Sequence, residues 1–386
     1  MDIVIKGNTE PQFSRVAKRF TKIIQRFSGG ASLCVYHKGQ KVVDLWGDSG
    51  QQTWHENSMG LCFSTTKGVV STLLHKVIDQ GFADYDDKIA HHWPEFACHG
   101  KAELTIRQLL NHQTGLISMG SLPDDVPLWD WSGILGYLAQ SSPNPAFVGQ
   151  PAYHVVTYGW LVGELILRIS GKSVSQLLQQ ISTELALDGL YIGVPETEMS
   201  RVVPILMTEQ ELRRIQRLAL PVGRIAKKAL SILGVDVNEI QSSIPKSLLV
   251  PEIVNDPRLI AGTMPSFNGV STARSLAKLY SVLANQGIYQ GSPWLSHETV
   301  SGFSSVQDKH RDKIVKIKMH WRYGYHQLFS LRHAVAKGFG HFGFGGSGAW
   351  AEPDRKLSMG LVVNSQVGSV MGQLLLSINT SSFSVC

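Results

Sequence analysis

The stretch LCFSTTKGVV, residues 61–70, places a serine and a lysine three positions apart between two apolar runs. The apolar pattern continues, at spacings of one, three and four, through Val69, Val70, Leu73, Leu74, Val77 and Ile78. This spacing predicts an amphipathic helix that ends near Gly81. Residues i and i+3 share a helix face, so Lys67 can reach the Ser64 hydroxyl. A desolvated lysine can serve as base for a serine nucleophile; the alternative is a capping serine beside an exposed lysine.

The SxxK spacing occurs three times, so its surroundings must decide between Ser64–Lys67, Ser243–Lys246 and Ser275–Lys278. Pro245 disfavours a regular helical turn after Ser243. Ser275 falls inside a helix predicted from about residue 272 to 285, where its hydroxyl is expected to bond a carbonyl or meet solvent. Only Ser64 stands at a predicted helix start.

The composition indicates a chain with a large core. Its 386 residues are 43% hydrophobic and 17% charged, which fits one large domain or two closely packed ones. No run of eighteen apolar residues and no secretory signal pattern is present, so we expect a cytoplasmic protein without stable membrane insertion. Four distant cysteines predict free thiols, and no metal-ligand spacing or cofactor motif occurs.

The net charge of +6 is spread along the chain except for basic stretches at 224–228 and 311–318. No aromatic residues interleave these runs, so a solvated surface is favoured over nucleic-acid binding. The sequence does not indicate an oligomeric state.

Strand patterns lie at both ends of the chain, with helical patterns between them. GASLCVYHKGQKVVDLWGD (30–48) predicts two strands joined at 38–40, and residues 338–366 predict two more that turn at 353–356. Helices are predicted at 105–115, where Thr105 and Gln108 form a capping box, and at 158–171. The fold expected is α/β, an antiparallel sheet flanked by helices, comprising residues 1–80 and 290–386, with a mostly helical domain at 81–289. Within it, 201–262 is interpreted as a lid or insertion, or as a membrane-surface helix.

Two further segments can carry chemistry. Tyr153 and Tyr158 flank an apolar turn, where a tyrosine either shuttles protons or packs in the core. GFGHFGFGGSGAW (338–350) holds His341 and, between 338 and 346, five glycines whose backbone N–H groups can face a ligand; the alternative is a bulged strand with a surface histidine. Ser347 sits in GGSGA, which lacks the final glycine and the following helix of a nucleophile elbow, so we discount it.

Taken in order, these segments resemble the serine hydrolases related to class C β-lactamases and penicillin-binding D,D-peptidases, in particular the family VIII carboxylesterases. The resemblance runs from about residue 20 to 365. It implies that Ser64 is acylated, that Lys67 lowers the pKa of Tyr153, and that Tyr153 takes the serine proton. His341 would belong to the third motif, and the backbone N–H groups of Ser64 and Phe344 would form the oxyanion hole.

Departures from that pattern favour an ester as substrate. Val155 stands where such β-lactamases have asparagine, and His341 and Phe342 replace a lysine and a small hydroxyl residue. Substrate contacts are expected from Gly343, Gly345, Gly346, Tyr158 and Trp350. A short loop before the second motif leaves Tyr158 as the alternative catalytic tyrosine. β-Lactamase, D,D-peptidase or acyltransferase activity, and a catalytically silent binding protein, are the other functions considered.

Overall fold

The structure, a computed structural model, describes residues 3–25, 29–50, 54–206, 242–245, 248, 251–328 and 337–365. Most of the predicted lid, including the basic stretch 224–228, lies outside these residues. Within them, no helix is long and apolar enough to cross a membrane.

Twelve strands are found in the described part of the chain. They are β1 (Val4–Thr9), β2 (Gly30–His37), β3 (Gln40–Asp48), β4 (Gly60–Leu61), β5 (Leu190–Ile192), β6 (Gly269–Ser271), β7 (Ile288–Tyr289), β8 (Ser292–Pro293), β9 (His326–Gln327), β10 (Phe339–Phe342), β11 (Gly348–Glu352) and β12 (Leu357–Val363). Seven form an antiparallel sheet in the order β1-β3-β2-β12-β11-β10-β9. β2 from the N-terminal part pairs with β12 from the C-terminal part, which confirms a sheet assembled from both ends of the chain.

Ten α-helices accompany these strands among the described residues. They are α1 (Ser14–Ile24), α2 (Thr65–Asp79), α3 (Ile89–His92), α4 (Ile106–Leu110), α5 (Trp131–Gln140), α6 (Thr157–Ser170), α7 (Val174–Glu184), α8 (Pro257–Ala261), α9 (Ala273–Ala284) and α10 (His297–Ser304). The Thr105–Gln108 capping box is present. The helix it opens stops at Leu110 and not near Gly115, because the backbone leaves the helical path and reaches a positive φ of 60° at His112.

The large sheet is covered on both faces. One face packs against α1, where Phe20 and Ile24 join the core side chains of β2, β11 and β12. The other face packs against α9, and an added side chain at Gly360 would approach the Ala273 carbonyl oxygen to 2.4 Å. Because α9 lies on the sheet, the predicted boundary at residue 289 separates this helix from the strands on which it packs.

Helix α2, which carries Lys67 and follows directly after Ser64, is buried in the core. It contacts α6 and β10, and its residues from Thr65 to His75 are all buried. The small sheet β4-β6-β5 holds the chain just before it, because β4 pairs with β6 two residues ahead of Phe63. These contacts fix the position at which α2 begins.

Candidate active site

Ser64 lies at the start of α2 in a turn that leaves its hydroxyl available. Phe63 has a φ of 47°, a left-handed conformation that is costly for a bulky residue and is found mainly at functional sites. The N–H groups of Thr65 and Thr66 bond to the carbonyls of Cys62 and Phe63. The Ser64 side chain makes no capping hydrogen bond. The alternative of a capping serine is therefore not what the structure shows.

The Lys67 amine is fully buried and directed at Ser64. Its Nζ lies 3.2 Å from Ser64 Oγ, and it donates to the carbonyl oxygens of Val155 at 2.6 Å and Ser266 at 3.0 Å. Burial lowers the pKa of Lys67 well below the usual lysine value. A lysine in this environment favours the neutral amine, the form that can accept a proton.

Tyr153 lies beside both groups. Lys67 Nζ is 5.0 Å from the centre of the Tyr153 ring, and this ring stacks on Trp321 at 5.5 Å. Burial raises the pKa of Tyr153, and its hydrogen bond with the Ser64 side chain opposes this only in part. The expectation that Lys67 lowers this pKa is wrong, because a neutral amine offers no charge to stabilise a tyrosinate.

His341 on β10 faces α2. Its Nδ1 lies 3.1 Å from the Phe342 carbonyl oxygen, which requires Nδ1 to carry the proton in the neutral ring. Nε2 is then an acceptor, and it is buried with no hydrogen-bond partner among the described residues. Burial lowers the pKa of His341 well below its usual value, so the ring is neutral at pH 7. The alternative of a surface histidine is not observed.

The end of β10 comes very close to the segment before Ser64. An added side chain at Gly343 would approach the Cys62 carbonyl oxygen to 2.1 Å, so only glycine fits there. The next residue, Phe344, has its ring 5.9 Å from that of Phe63. Within the described ranges, the backbone N–H groups of Ser64 and Phe344 donate to no other group. Both are therefore available to a developing oxyanion.

Gly345 and Gly346 form the turn after β10, with φ values of 97° and 110° that favour glycine. Ser347 is 1% exposed and its Oγ accepts the Val363 N–H at 3.1 Å, so it supports the sheet. The strand β11 follows it, and there is no helix. The structure agrees with discounting this serine as nucleophile.

Two of the expected substrate contacts are not available to a ligand. Tyr158 is 0% exposed, and its hydroxyl shares a 2.6 Å hydrogen bond with Ser71 inside the core. Trp350 is 1% exposed and belongs to the core on the α1 side of the sheet, whereas His341 faces the α2 side. Side chains alternate between the two faces of a strand. Trp350 pairs with Gly340, whereas His341 pairs with Ala349, so Trp350 and His341 lie on opposite faces of the sheet. Both residues are structural here.

Sequence reasoning missed the group that holds Tyr153. Asp312 is 1% exposed and accepts hydrogen bonds from the Tyr153 N–H at 3.3 Å and from the Trp321 indole at 2.9 Å. It also accepts the N–H groups of Ile314 and Val315. The sequence feature that could have pointed to Asp312 is its position as an acidic residue inside the basic run 311–318.

His112 was missed as well. Its ring packs 5.1 Å from that of Tyr153 and 4.1 Å from that of Trp321, and burial lowers its pKa well below the usual value. Cys34, Cys62 and Cys98 are free thiols, as predicted. The described residues contain no cluster of histidine, cysteine and acidic side chains suited to a metal ion.

A serine whose hydroxyl meets a buried lysine at a helix start defines a class of acyl-transferring hydrolases, and comparison with known proteins agrees. A family model described as Beta-lactamase matches residues 18–375. The chain belongs to this family and is a serine hydrolase of the β-lactamase-related superfamily.

Named relatives include both esterases and β-lactam-related proteins. The chain is 32% identical over 371 residues to Esterase/beta-lactamase LipL of Mycobacterium tuberculosis, covering 93% of this chain and 82% of that protein. Its structure resembles a penicillin-binding protein homolog from Caulobacter crescentus, with 28% identity, a TM-score of 0.83 and coverage of 98% and 100%. It also resembles a family VIII carboxylesterase, with 26% identity, a TM-score of 0.82 and coverage of 98% and 99%.

Proposed function

We propose that this protein hydrolyses small carboxylic esters through an acyl-enzyme on Ser64. The observation that carries the proposal is the set of neighbours around Lys67 Nζ. A neutral amine has two N–H donors and one lone pair. In the reactive state that we propose, the carbonyls of Val155 and Ser266 accept these two N–H groups, and the lone pair accepts the Ser64 O–H across the 3.2 Å between Nζ and Oγ. The amine is thereby held as a base next to its acid.

In the first half-reaction, Ser64 Oγ attacks the ester carbonyl carbon while its proton passes to Lys67 Nζ. The N–H groups of Ser64 and Phe344 bind the resulting oxyanion. When the ester C–O bond breaks, the Tyr153 hydroxyl gives its proton to the leaving alcohol oxygen and is reprotonated from the Lys67 ammonium. Water then attacks the acyl-enzyme by the same route and releases the acid.

We assign the unpartnered Nε2 of His341 a role in both half-reactions. A neutral ring with a free Nε2 lone pair can accept a hydrogen bond from the attacking water or from the departing alcohol. This fits a histidine that orients a reactant and stays uncharged.

Esters are favoured as substrates because two positions of the described part of the site, Val155 and Phe342, offer no polar side chain to a β-lactam. Val155 presents an aliphatic side chain near Tyr153, and its polar contribution is the carbonyl already bonded to Lys67. Phe342 directs its ring into the opposite core. A site without these hydrogen-bond partners does not select for an amide side chain or an acid group.

Labelling tests the nucleophile. A fluorophosphonate probe should form one covalent adduct, which mass spectrometry of the digested protein should assign to Ser64. Ser64→Ala should lose both the adduct and turnover of a short-chain nitrophenyl ester. The matched control, Ser275→Ala, removes the serine of another SxxK and should keep both. An adduct on another serine, or undiminished turnover in Ser64→Ala, would contradict the proposal.

A second candidate activity is β-lactam hydrolysis, since the named relative is described as both esterase and β-lactamase. We expect kcat/KM for a nitrophenyl ester to exceed that for a chromogenic cephalosporin, and a D-Ala-D-Ala peptide to be unreactive. The reverse order would make β-lactam or peptide hydrolysis the main activity. Adding a primary alcohol to the ester assay and looking for a new ester distinguishes acyl transfer from hydrolysis.

A further inference from the structure

A basic segment, residues 309–318, lies on the surface next to the catalytic tyrosine. It contains five cations, Lys309, Arg311, Lys313, Lys316 and Lys318. None of the five forms an ion pair within the described part of the chain. Asp308 and Asp312, the acidic residues nearest to these cations in sequence, are 7% and 1% exposed. The outer face of the segment is therefore positively charged without local compensation.

Aliphatic side chains are exposed among these cations. Val315 is 38% exposed and Ile317 is 41% exposed, two of the few large hydrophobic residues that the described chain leaves in solvent. Isolated exposed aliphatics are ordinary, but here two lie on one short segment between lysines. Cations beside exposed aliphatics are typical of surfaces that bind the interface of an anionic lipid bilayer.

The inner face of the segment is fixed to the active site. Asp312 accepts the Tyr153 N–H, the Lys313 N–H donates to the Pro151 carbonyl at 2.7 Å, and Ile314 packs against Ala152 and Tyr153. The charged surface is thus held by the same residues that hold the catalytic hydroxyl. A molecule that docks on it lies on the outer side of the segment whose inner side packs on Ala152 and Tyr153.

We propose that the basic segment 309–318 docks the protein on anionic lipid surfaces, where ester substrates dissolved in the lipid reach Ser64. The lysines and arginine attract the lipid headgroups, and Val315 and Ile317 enter the interface. Nucleic acid fits less well, because the segment contains no Phe, Tyr or Trp on which bases could stack. The suggested route to Ser64 rests on the proposed function, whereas docking itself does not.

Vesicle binding tests the docking. The full chain carrying Ser64→Ala, which should not hydrolyse esters, is sedimented with vesicles of phosphatidylcholine alone or mixed with phosphatidylglycerol. We expect binding only to the mixed vesicles, and weaker binding as salt is raised. The double variant Lys316→Gln/Lys318→Gln should bind roughly 30-fold more weakly, from about 1 kcal/mol per cation at such a surface. Ile317→Ser should also weaken binding. This loss should persist at high salt, because the removed contact is apolar.

The matched control is Lys18→Gln/Arg19→Gln, which removes the same charge from exposed positions on α1, on the other side of the sheet. It should bind like the parent protein, and the thermal midpoint of each variant shows whether it is folded. Failure to bind the mixed vesicles, equal loss in the α1 variant, or preference for an oligonucleotide over vesicles would overturn the proposal. Ester turnover in solution is measured separately on the wild-type chain, so failure of docking and failure of the esterase proposal are distinguishable.

Discussion

Two helix starts in this molecule carry the same SxxK spacing and have different surroundings. At α2, the Ser64 hydroxyl makes no capping bond and the fully buried Lys67 amine points at it. At α9, Ser275 is buried and its hydroxyl bonds the Asp188 carbonyl at 2.7 Å. The half-buried Lys278 donates to a different carbonyl, that of Ala186. In the second motif, serine and lysine each have separate partners.

Burial, and not spacing, distinguishes the two pairs. Lysine and serine three residues apart share a helix face in both places. Only at α2 do neighbouring elements enclose the amine, offering it two carbonyl oxygens and no carboxylate. Desolvation then favours the neutral amine, which is the form a base needs.

Removing the two serines should give the largest contrast. Ser64→Ala should lower kcat/KM for a nitrophenyl ester by about 10⁴-fold or more, because the proposed acyl-enzyme forms on the Ser64 hydroxyl. Ser275→Ala should leave kcat/KM unchanged and lower the free energy of unfolding by about 1 kcal/mol, the value of one buried hydrogen bond. Steady-state kinetics and urea unfolding measure the two quantities. Equal kinetic losses in both variants would remove the distinction between the motifs.

Removing the two lysines should give the next largest contrast. Lys67→Met keeps the length of the side chain and removes the base, so kcat should fall by about 10³-fold. Lys278→Met should leave kcat unchanged, since Lys278 bonds a carbonyl far from Ser64 in the chain. Single-turnover kinetics separate acylation from deacylation. If Lys67→Met acylates at the normal rate, the base must be another group.

Replacing each of the two tyrosines by phenylalanine decides which one acts with Ser64 in the reaction. Tyr153→Phe should lower kcat by about 10²-fold or more, because the leaving alcohol loses its proton donor. Tyr158→Phe breaks only the bond to Ser71 and should reduce the free energy of unfolding with little change in kcat. The kcat values from substrate titrations give the answer. A larger loss of kcat in Tyr158→Phe than in Tyr153→Phe would reverse the assignment.

Asp312 is a positioning residue for Tyr153, and α9 has no counterpart of it at Ser275. Asp312→Asn should lower kcat roughly tenfold, since an amide nitrogen placed toward the Trp321 indole would set donor against donor. Asp312 bonds the Tyr153 backbone N–H, so the loss should fall on kcat with little change in KM.

The control for this variant is Asp308→Asn. Asp308 is also buried and accepts bonds from Gln113 and His310, without contacting Tyr153. It should reduce stability and leave kcat close to that of wild type. An equal loss of kcat in both variants would mean that the effect is general loosening of the segment.

The smallest effect concerns pH and stability. Because the pKa of Lys67 is lowered in the folded protein, the unfolded chain binds one more proton between the folded and unfolded values. The stability that comes from a neutral Lys67 is complete above the unfolded pKa and is lost as pH falls toward the folded one. As pH falls below the lysine pKa of the unfolded chain, wild type should therefore lose stability relative to Lys67→Met, with a slope of at most about 1.4 kcal/mol per pH unit. Urea unfolding at a series of pH values measures this. The same pH dependence of the free energy of unfolding in both proteins would contradict the prediction.

Local patterns predicted the elements of the fold well. The hairpin over 30–48, the helix after Ser64 and the helices at 158–171 and 272–285 lie within a residue or two of the observed bounds. Apolar periodicity, caps and turn residues are local signals, and these elements follow them. The predicted C-terminal end of α4, near residue 115, was wrong. The helix ends earlier because of the buried surroundings of His112, which a local sequence pattern does not record.

The site was predictable in part. The prediction of Lys67 near Ser64 needs only helix geometry, and the structure places Tyr153 and His341 with them. Tyr158 and Trp350 were misplaced because a sequence does not show toward which face of an element a side chain points. Asp312 and Trp321 were missed because they contact Tyr153 from about 160 residues further along the chain.

The sequence by itself determined that a serine and a lysine share the first turn of a helix, that strands lie at both ends of the chain, and that the order of its motifs is that of a serine hydrolase family. Each depends on residues that are neighbours or follow in order. The tertiary structure decided which of the SxxK pairs has a buried amine bonded to its serine, and that Tyr153 is buried beside that pair, where burial raises its pKa. These properties depend on how much water reaches each group, and only the packing of distant segments sets that.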